Sequence, residues 1–242
     1  IYFCFFYSLS FAVLAYPSSG TPFADHHSAF LSILGVYFLI FAIKTEIKIY
    51  WILLPIFLGL AFFAKQVPSS YIIISTAFVL ILYTLIKKKF SWIKYTLPSA
   101  LLFVVVLIAV GKIQGISLYS FLNQYILYPQ TLGEQRFDSI DISFKNIFLN
   151  FKFIYIVLLP LLFFNLKKIF FSKNYLKEND FFYFLILFSL TLALILHQLL
   201  TKNQIFIFFL VPLLTAFLHI TLNQIKFKQK FFISALILLC LF

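Results

Sequence analysis

The chain contains no methionine, only two cysteines and only seven acidic residues among 242 positions. Because position 1 is not methionine and both ends are apolar, we expect the sequence to be a fragment of a longer protein. Cys4 and Cys240 lie in apolar terminal segments without CxxC spacing, which favours packing over a disulfide or metal pair. No Walker A or GxGxxG pattern is present, so nothing predicts a nucleotide bound by a P-loop.

Charged residues make up 11% of the chain and hydrophobic residues 63%. An average soluble domain has about 25% charged and about 45–50% apolar residues. The apolar segments recur along the whole length, so none of them resembles a cleavable signal peptide. This composition predicts an integral membrane protein.

Nine apolar segments approach the length of about 20 residues that a membrane-spanning helix needs. They predict an all-α, polytopic helical bundle that forms one transmembrane domain over 1–242, with a non-cytoplasmic loop at 112–152. We expect the first and last segments to be cut short by the fragment ends. The segments lie near 1–16, 28–43, 50–64, 70–86, 96–111, 153–166, 181–200, 205–222 and 231–242.

The net charge of +12 is distributed unevenly over the connections between these segments. One alternating set carries thirteen lysines, and the other carries five lysines and the single arginine. Because cytoplasmic loops hold the excess of positive charge, the first set is predicted to be cytoplasmic. The charge therefore indicates topology and predicts no nucleic-acid partner. The stretches PSSGTPFADHH, AKQVPSS, 112–152 and LLTKNQ are then all on the non-cytoplasmic side.

Asp25 and His27 flank one residue in the stretch PFADHHSAF. In an extended or turn backbone their side chains could share a divalent cation, Mn²⁺ or Mg²⁺, with His26 as a less favoured ligand. Substrate phosphate, water and an acidic residue elsewhere would complete that site. Alternatively, Asp25 caps a helix that starts near His27.

These residues carry a resemblance to a known superfamily. DHH ahead of a membrane helix resembles the second acidic motif of oligosaccharyltransferase catalytic subunits, in which the aspartate and second histidine bind a metal. FLGLAFFAKQVPSSYIII resembles the lysine-bearing segment of the protein mannosyltransferases and lipid A aminoarabinose transferases. Both groups belong to the glycosyltransferase C superfamily, and the resemblance covers residues 1–86, with looser similarity in LTKNQIFIFFLVPLL.

The resemblance implies a membrane glycosyltransferase of the bacterial inner membrane, with its active site on the non-cytoplasmic face. It implies a polyprenyl-phosphate-linked sugar as donor and a glycan, lipid or protein as acceptor, with membrane lipid around the chain. The superfamily keeps an essential acidic residue in its first outer loop. We therefore expect the catalytic acidic residue to lie upstream of Ile1.

Three cations of the outer connections are candidates for the donor phosphate. Lys65 follows a complete apolar run, and the alternative is a lysine that only marks the helix end. The planar guanidinium of Arg136 could bind phosphate through two hydrogen bonds, or it could pair with Glu134 or Asp138 in solvent. Lys202 lies in a short turn, where turn chemistry is the alternative.

Substrate-binding candidates in the same connections are Gln66, Glu134, Tyr125 and Tyr128. The two tyrosines are three residues apart, on one face if helical, where they could stack on a sugar ring. Equally, they are typical of an aromatic belt at the membrane interface.

A competing function is a polytopic transporter or flippase for lipid-linked or small polar substrates. Such proteins place ionisable or helix-breaking residues near the bilayer midplane. The prolines Pro55, Pro160 and Pro212 inside segments fit that class, whereas the candidate charges at helix ends favour the enzyme. A non-catalytic membrane scaffold is a third class, in which DHH would only cap a helix.

Overall fold

A computed structural model describes residues 2–16, 20, 23–138, 140, 142–172, 174–202, 207–224 and 239. These residues form ten α-helices joined by short π-helical, 3₁₀ and irregular connections, so the all-α prediction is confirmed. The helices are α1 (Tyr2–Leu14), α2 (Ala24–Thr45), α3 (Lys48–Ala64), α4 (Gln66–Lys87), α5 (Ile93–Ile113), α6 (Leu118–Leu122), α7 (Tyr128–Asp138), α8 (Lys152–Phe171), α9 (Asn179–Thr201) and α10 (Leu210–Gln224).

Five of these helices, α2, α4, α5, α8 and α9, are long and apolar enough to cross a membrane. The apolar helices α1, α3 and α10 are shorter, with 13, 17 and 15 residues. Eight of the nine predicted segments fall on these eight helices, and the ninth, 231–242, lies outside the described residues. The chain is thus an integral membrane protein by helix length and composition, but the count of nine segments is not confirmed.

The chain divides into two compact units. One comprises Ile1–Pro22 and Asp141–Phe242 and contains α1 and α8–α10; we call it the α1/α8–α10 unit. The other, Phe23–Ile140, contains α2–α7 and is called the α2–α7 unit. The predicted loop 112–152 contains α6, α7 and two π-helical turns, so much of it is helical.

Small residues let the helices of the α2–α7 unit approach closely. A Cβ atom built on Gly35 of α2 would lie 2.8 Å from Leu58 Cδ2 of α3. On Gly59 of α3 it would lie 2.3 Å from the Phe103 ring of α5. Close approach at small residues is a main source of helix packing in membranes, where lipid tails are as apolar as the side chains.

Pro55 inside α3 explains a polar contact between α3 and α5. Proline has no N–H, so the carbonyl of Trp51, four residues earlier, loses its usual helical donor. The Thr96 hydroxyl of α5 donates to that carbonyl at 3.2 Å. One residue on, the Ser99 hydroxyl donates to the Ile52 carbonyl at 2.7 Å.

In the α1/α8–α10 unit, α10 packs against α1 and α8. The buried Tyr7 of α1 lies 3.1 Å, hydroxyl to Nδ1, from His219 of α10. Between α8 and α9, the hydroxyl of the buried Tyr175 donates to the side-chain oxygen of the buried Asn165.

Candidate functional site

The site begins at the N-terminus of α2. Phe23 has an extended backbone (φ −78°, ψ 165°) and is the residue before the first helical turn, so α2 starts at Ala24. His26 Nδ1 accepts the Phe23 backbone N–H at 3.2 Å, and the two rings stack with centroids 6.0 Å apart. The prediction that Asp25 is the N-cap is therefore wrong. Asp25 lies in the first turn, where its negative charge is favoured by the helix dipole.

The Asp25 carboxylate is paired with Lys65. Lys65 Nζ donates to Asp25 Oδ2 at 2.6 Å, with the two side chains 24% and 1% exposed. A buried carboxylate is destabilising unless it is paired with a cation and hydrogen-bonded. Lys65 supplies both the cation and a hydrogen bond to Asp25. The partial exposure of Lys65 means that its ammonium also reaches the surface of the α2–α7 unit.

Lys65 occupies the break between α3 and α4. Its backbone is extended (φ −164°, ψ 135°), and Val67 is also non-helical. Pro68 accounts for this break, because the residue before a proline is disfavoured in the α conformation and proline cannot continue the helical hydrogen bonds. The side chain at 65 therefore leaves the helix axis and turns towards α2.

Serine hydroxyls hold the backbone of this break in place. Ser28 of α2 donates to the Lys65 carbonyl at 2.9 Å, and Ser69 of α4 donates to the same carbonyl at 2.6 Å. Ser70 donates to the Gln66 carbonyl at 2.5 Å. The two bonds to Lys65 hold the backbone of the residue that ends α3 and precedes α4. The backbone that carries the Lys65 side chain is thus held from both α2 and α4.

Gln66 and Tyr125 extend the site towards the connection after α5. Gln66 Nε2 donates to the Tyr125 carbonyl at 3.3 Å. The Tyr125 ring stacks on Phe121 with centroids 5.0 Å apart and lies 5.8 Å from the Phe63 ring. Tyr128 is 61% exposed, whereas Tyr125 is half-buried, and joint stacking of the two tyrosines on a sugar stays a prediction.

The side chains predicted to hold a metal are not gathered on one side of α2. Residues two apart in an α-helix are separated by about 200° around its axis, and His27 is exposed whereas Asp25 is buried. A neutral imidazole whose Nδ1 accepts a hydrogen bond carries its proton on Nε2, so His26 as placed has no lone pair for a metal. Within the described residues, no three His, Cys, Asp or Glu side chains form a metal-binding group. This arrangement does not fit a bound divalent cation, and the metal stays a prediction.

The remaining predicted residues lie elsewhere. Lys202 ends α9 in the left-handed conformation (φ 54°) and is exposed, in the α1/α8–α10 unit. Glu134 and Arg136 belong to α7, but their side chains lie outside the described residues.

Sequence reasoning missed the two serines that bind the Lys65 carbonyl. Ser28 lies three residues after Asp25 in α2, a spacing that shares one helix face. That spacing of polar residues predicts a polar stripe on α2, and this stripe faces the break between α3 and α4.

Comparison of the chain with protein-family models, with curated proteins and with solved structures gives no match. A functional interpretation therefore depends on the residues of the site themselves.

Proposed function

We propose that the chain is part of a membrane glycosyltransferase that moves a sugar from a polyprenyl-phosphate donor to an acceptor on the non-cytoplasmic face of the bacterial inner membrane. The observation that carries the proposal is the ion pair between Asp25 and Lys65. Two motifs that separately resemble the glycosyltransferase C superfamily meet there at 2.6 Å.

Lys65 is the proposed phosphate-binding residue. An ammonium group has three donors, and Asp25 accepts one of them. The other two N–H groups donate to a phosphate that approaches from the exposed side. The ammonium attracts this phosphate as a compact point charge. Asp25 acts as a positioning residue, because it fixes the ammonium without touching the donor.

The chemistry that this site supports is loss of a phosphate leaving group. The bond between the anomeric carbon and the phosphate oxygen breaks, and the oxygen keeps the electron pair. A positive charge fixed beforehand stabilises that developing negative charge. The acceptor forms the new bond to the anomeric carbon and gives its proton to a general base.

Gln66 and Tyr125 are the proposed contacts of the donor sugar. Gln66 follows Lys65 in the chain and donates to the Tyr125 carbonyl, and the Tyr125 ring is half-buried. The cations Arg136 and Lys202 and the residues Tyr128 and Glu134 remain predictions for donor or acceptor contacts.

The decisive experiment measures binding of a polyprenyl monophosphate to the full-length protein in detergent. Lys65→Ala is expected to weaken binding about tenfold or more, since a charge-assisted hydrogen bond contributes about 1.5–3 kcal/mol. Lys112→Ala is the matched control, because Lys112 is an exposed lysine at the C-terminal end of α5. Equal affinity in the Lys65→Ala and Lys112→Ala proteins would refute the role of Lys65.

Asp25→Asn separates positioning from binding. Loss of the carboxylate is expected to leave polyprenyl phosphate binding intact, because the ammonium keeps its charge. Glycosyl transfer by the full-length protein should nevertheless be lost, since Lys65 is no longer held in place. Unchanged transfer by Asp25→Asn would contradict the proposal.

A transporter is the second candidate, and the contact between Tyr7 and His219 favours it. Both side chains are buried within apolar helices of the α1/α8–α10 unit, and polar groups inside membrane segments often mark a translocation path. Movement of a labelled polyprenyl-phosphate sugar across proteoliposomes without any transfer would support this function over the enzyme.

A further inference from the structure

An open groove lies between α3 and α5 of the α2–α7 unit, with a volume of about 430 Å³. Ile52, Ile56, Leu102 and Val106 line its length, and Lys94 and Tyr95 lie at one end. The stretch from Lys94 to Val106 covers about 18 Å of helix, at 1.5 Å per residue. That length is close to one leaflet of a hydrocarbon core about 30 Å thick.

The groove lies on a helix that the protein itself scarcely covers. Only 6% of the most apolar 18-residue stretch of α5 is buried. Leu102 and Val106 are 64% and 50% exposed. By contrast, Ser99 and Thr96 bind α3 through hydrogen bonds to carbonyls, so one face of α5 is fixed while the groove beside it stays open.

The end of the groove is positively charged. Lys94 is exposed, and Lys48 Nζ lies 5.6 Å from the centre of the Tyr95 ring. Glu46, the acidic residue between α2 and α3, accepts a hydrogen bond from Lys89 and so is already paired. Pro98 has no N–H, so the Lys94 carbonyl loses its usual helical donor beside the two cations.

We propose that this groove binds an anionic phospholipid of the cytoplasmic leaflet. One acyl chain lies along Ile52, Ile56 and Leu102, and the phosphate is bound by Lys48 and Lys94. The apolar length fits the chain, and the two lysines are complementary to the charge of the headgroup. This end carries the lysines that the charge distribution assigns to the cytoplasm, where anionic lipids attract basic residues. The site is separate from the break at Lys65 and does not depend on the proposed enzyme activity.

The test is native mass spectrometry of the full-length protein in detergent, titrated with dioleoyl phosphatidylglycerol or dioleoyl phosphatidylcholine. Phosphatidylglycerol is expected to bind more tightly. Lys48→Gln and Lys94→Gln should each weaken it about fivefold, which corresponds to about 1 kcal/mol per lysine. Lys112→Gln is the matched control, because Lys112 is an exposed lysine of the same helix at the end opposite Lys94 and should leave binding unchanged.

Leu102→Trp tests the acyl-chain part, since an exposed leucine is replaced by a ring that fills the groove. It should weaken phosphatidylglycerol binding, with an unchanged thermal unfolding midpoint to show that the fold is retained. Equal binding of the two lipids, or equal losses in the Lys112→Gln and Lys94→Gln proteins, would overturn the proposal. So would competition by inorganic phosphate alone, or a dimer that the Leu102→Trp substitution dissociates.

Discussion

Two lysines of the α2–α7 unit each bind a carboxylate, at opposite ends of α2. Lys65 binds Asp25 in the first turn, and Lys89 binds Glu46 just beyond the last turn. The first pair has side chains 24% and 1% exposed, and the second has side chains 46% and 61% exposed. The chemical groups are similar, but their contact with water differs greatly.

The difference in exposure decides what each pair contributes. Exposed pairs contribute about 0–1 kcal/mol, because water and salt screen them. Removing one partner of a buried pair is much more destabilising, because the remaining buried charge is then stabilised neither by water nor by an opposite charge. Asp25 and Lys65 are therefore the pair that fixes a structure, whereas Glu46 and Lys89 only mark a helix end.

The largest expected effect is from Lys65→Met. Loss of the ammonium leaves the Asp25 carboxylate buried without its cation, and we expect the free energy of unfolding to fall by about 3 kcal/mol. Chemical denaturation in detergent micelles, followed by circular dichroism, measures this change. Asp25→Asn combined with Lys65→Met should recover part of the loss, because no buried charge remains. A Lys65→Met protein as stable as Lys89→Met would remove the distinction between the pairs.

A buried contact in the α1/α8–α10 unit tests whether the comparison is general. Tyr175→Phe removes the hydroxyl that donates to Asn165, while Gln224→Ala removes two exposed contacts, with Lys168 at 3.0 Å and with Asp180 at 2.9 Å. An unsatisfied buried acceptor costs about 1–3 kcal/mol. An exposed substitution changes stability by about 0.5 kcal/mol or less. Denaturation midpoints of the two variants should therefore differ, with Tyr175→Phe the lower, and equal midpoints would contradict the comparison.

The same hydroxyl predicts a pH dependence. Burial, followed by the negative charges of Asp180 and Glu178, raises the pKa of Tyr175. The folded state thus holds this proton more tightly than the unfolded chain, whose tyrosine pKa is about 10. Its contribution is complete below about pH 10 and is lost as the pH rises further. The loss of stability between about pH 8 and about pH 11 should be smaller for Tyr175→Phe than for the unsubstituted protein.

Sequence periodicity and apolar length predict where most helices lie, but not where they begin. Counting apolar residues starts the second segment at 28, because Asp25, His26 and His27 are polar. The helix begins four residues earlier, at Ala24, because its first turn accepts a carboxylate and His26 binds the backbone of Phe23. Local charge and capping decide where a helix begins, and hydropathy alone does not predict that residue.

The charge distribution predicts that Asp25 and Lys65 lie on one side of the membrane, but it gives no distance between them. That distance depends on the break at Pro68 and on the hydroxyls of Ser28 and Ser69, which act through tertiary packing. The relative orientation of Tyr125 and Tyr128 is likewise not predictable from their spacing in the sequence. A π-helical turn at Asn123–Leu127 precedes Tyr128 and changes the angle that ideal α-helical spacing would give.

The smallest expected effect is from Lys89→Ala, which tests the exposed side of the comparison. The hydrogen bond to Glu46 raises the pKa of Lys89, yet both side chains remain in water. We expect the free energy of unfolding to change by about 0.5 kcal/mol, and the change should disappear at about 1 M salt, where the Debye length is about 3 Å. The Lys65→Met effect should persist under the same conditions, because a partly buried pair is screened much less. If salt removed both effects equally, burial would not be what separates the two ends of α2.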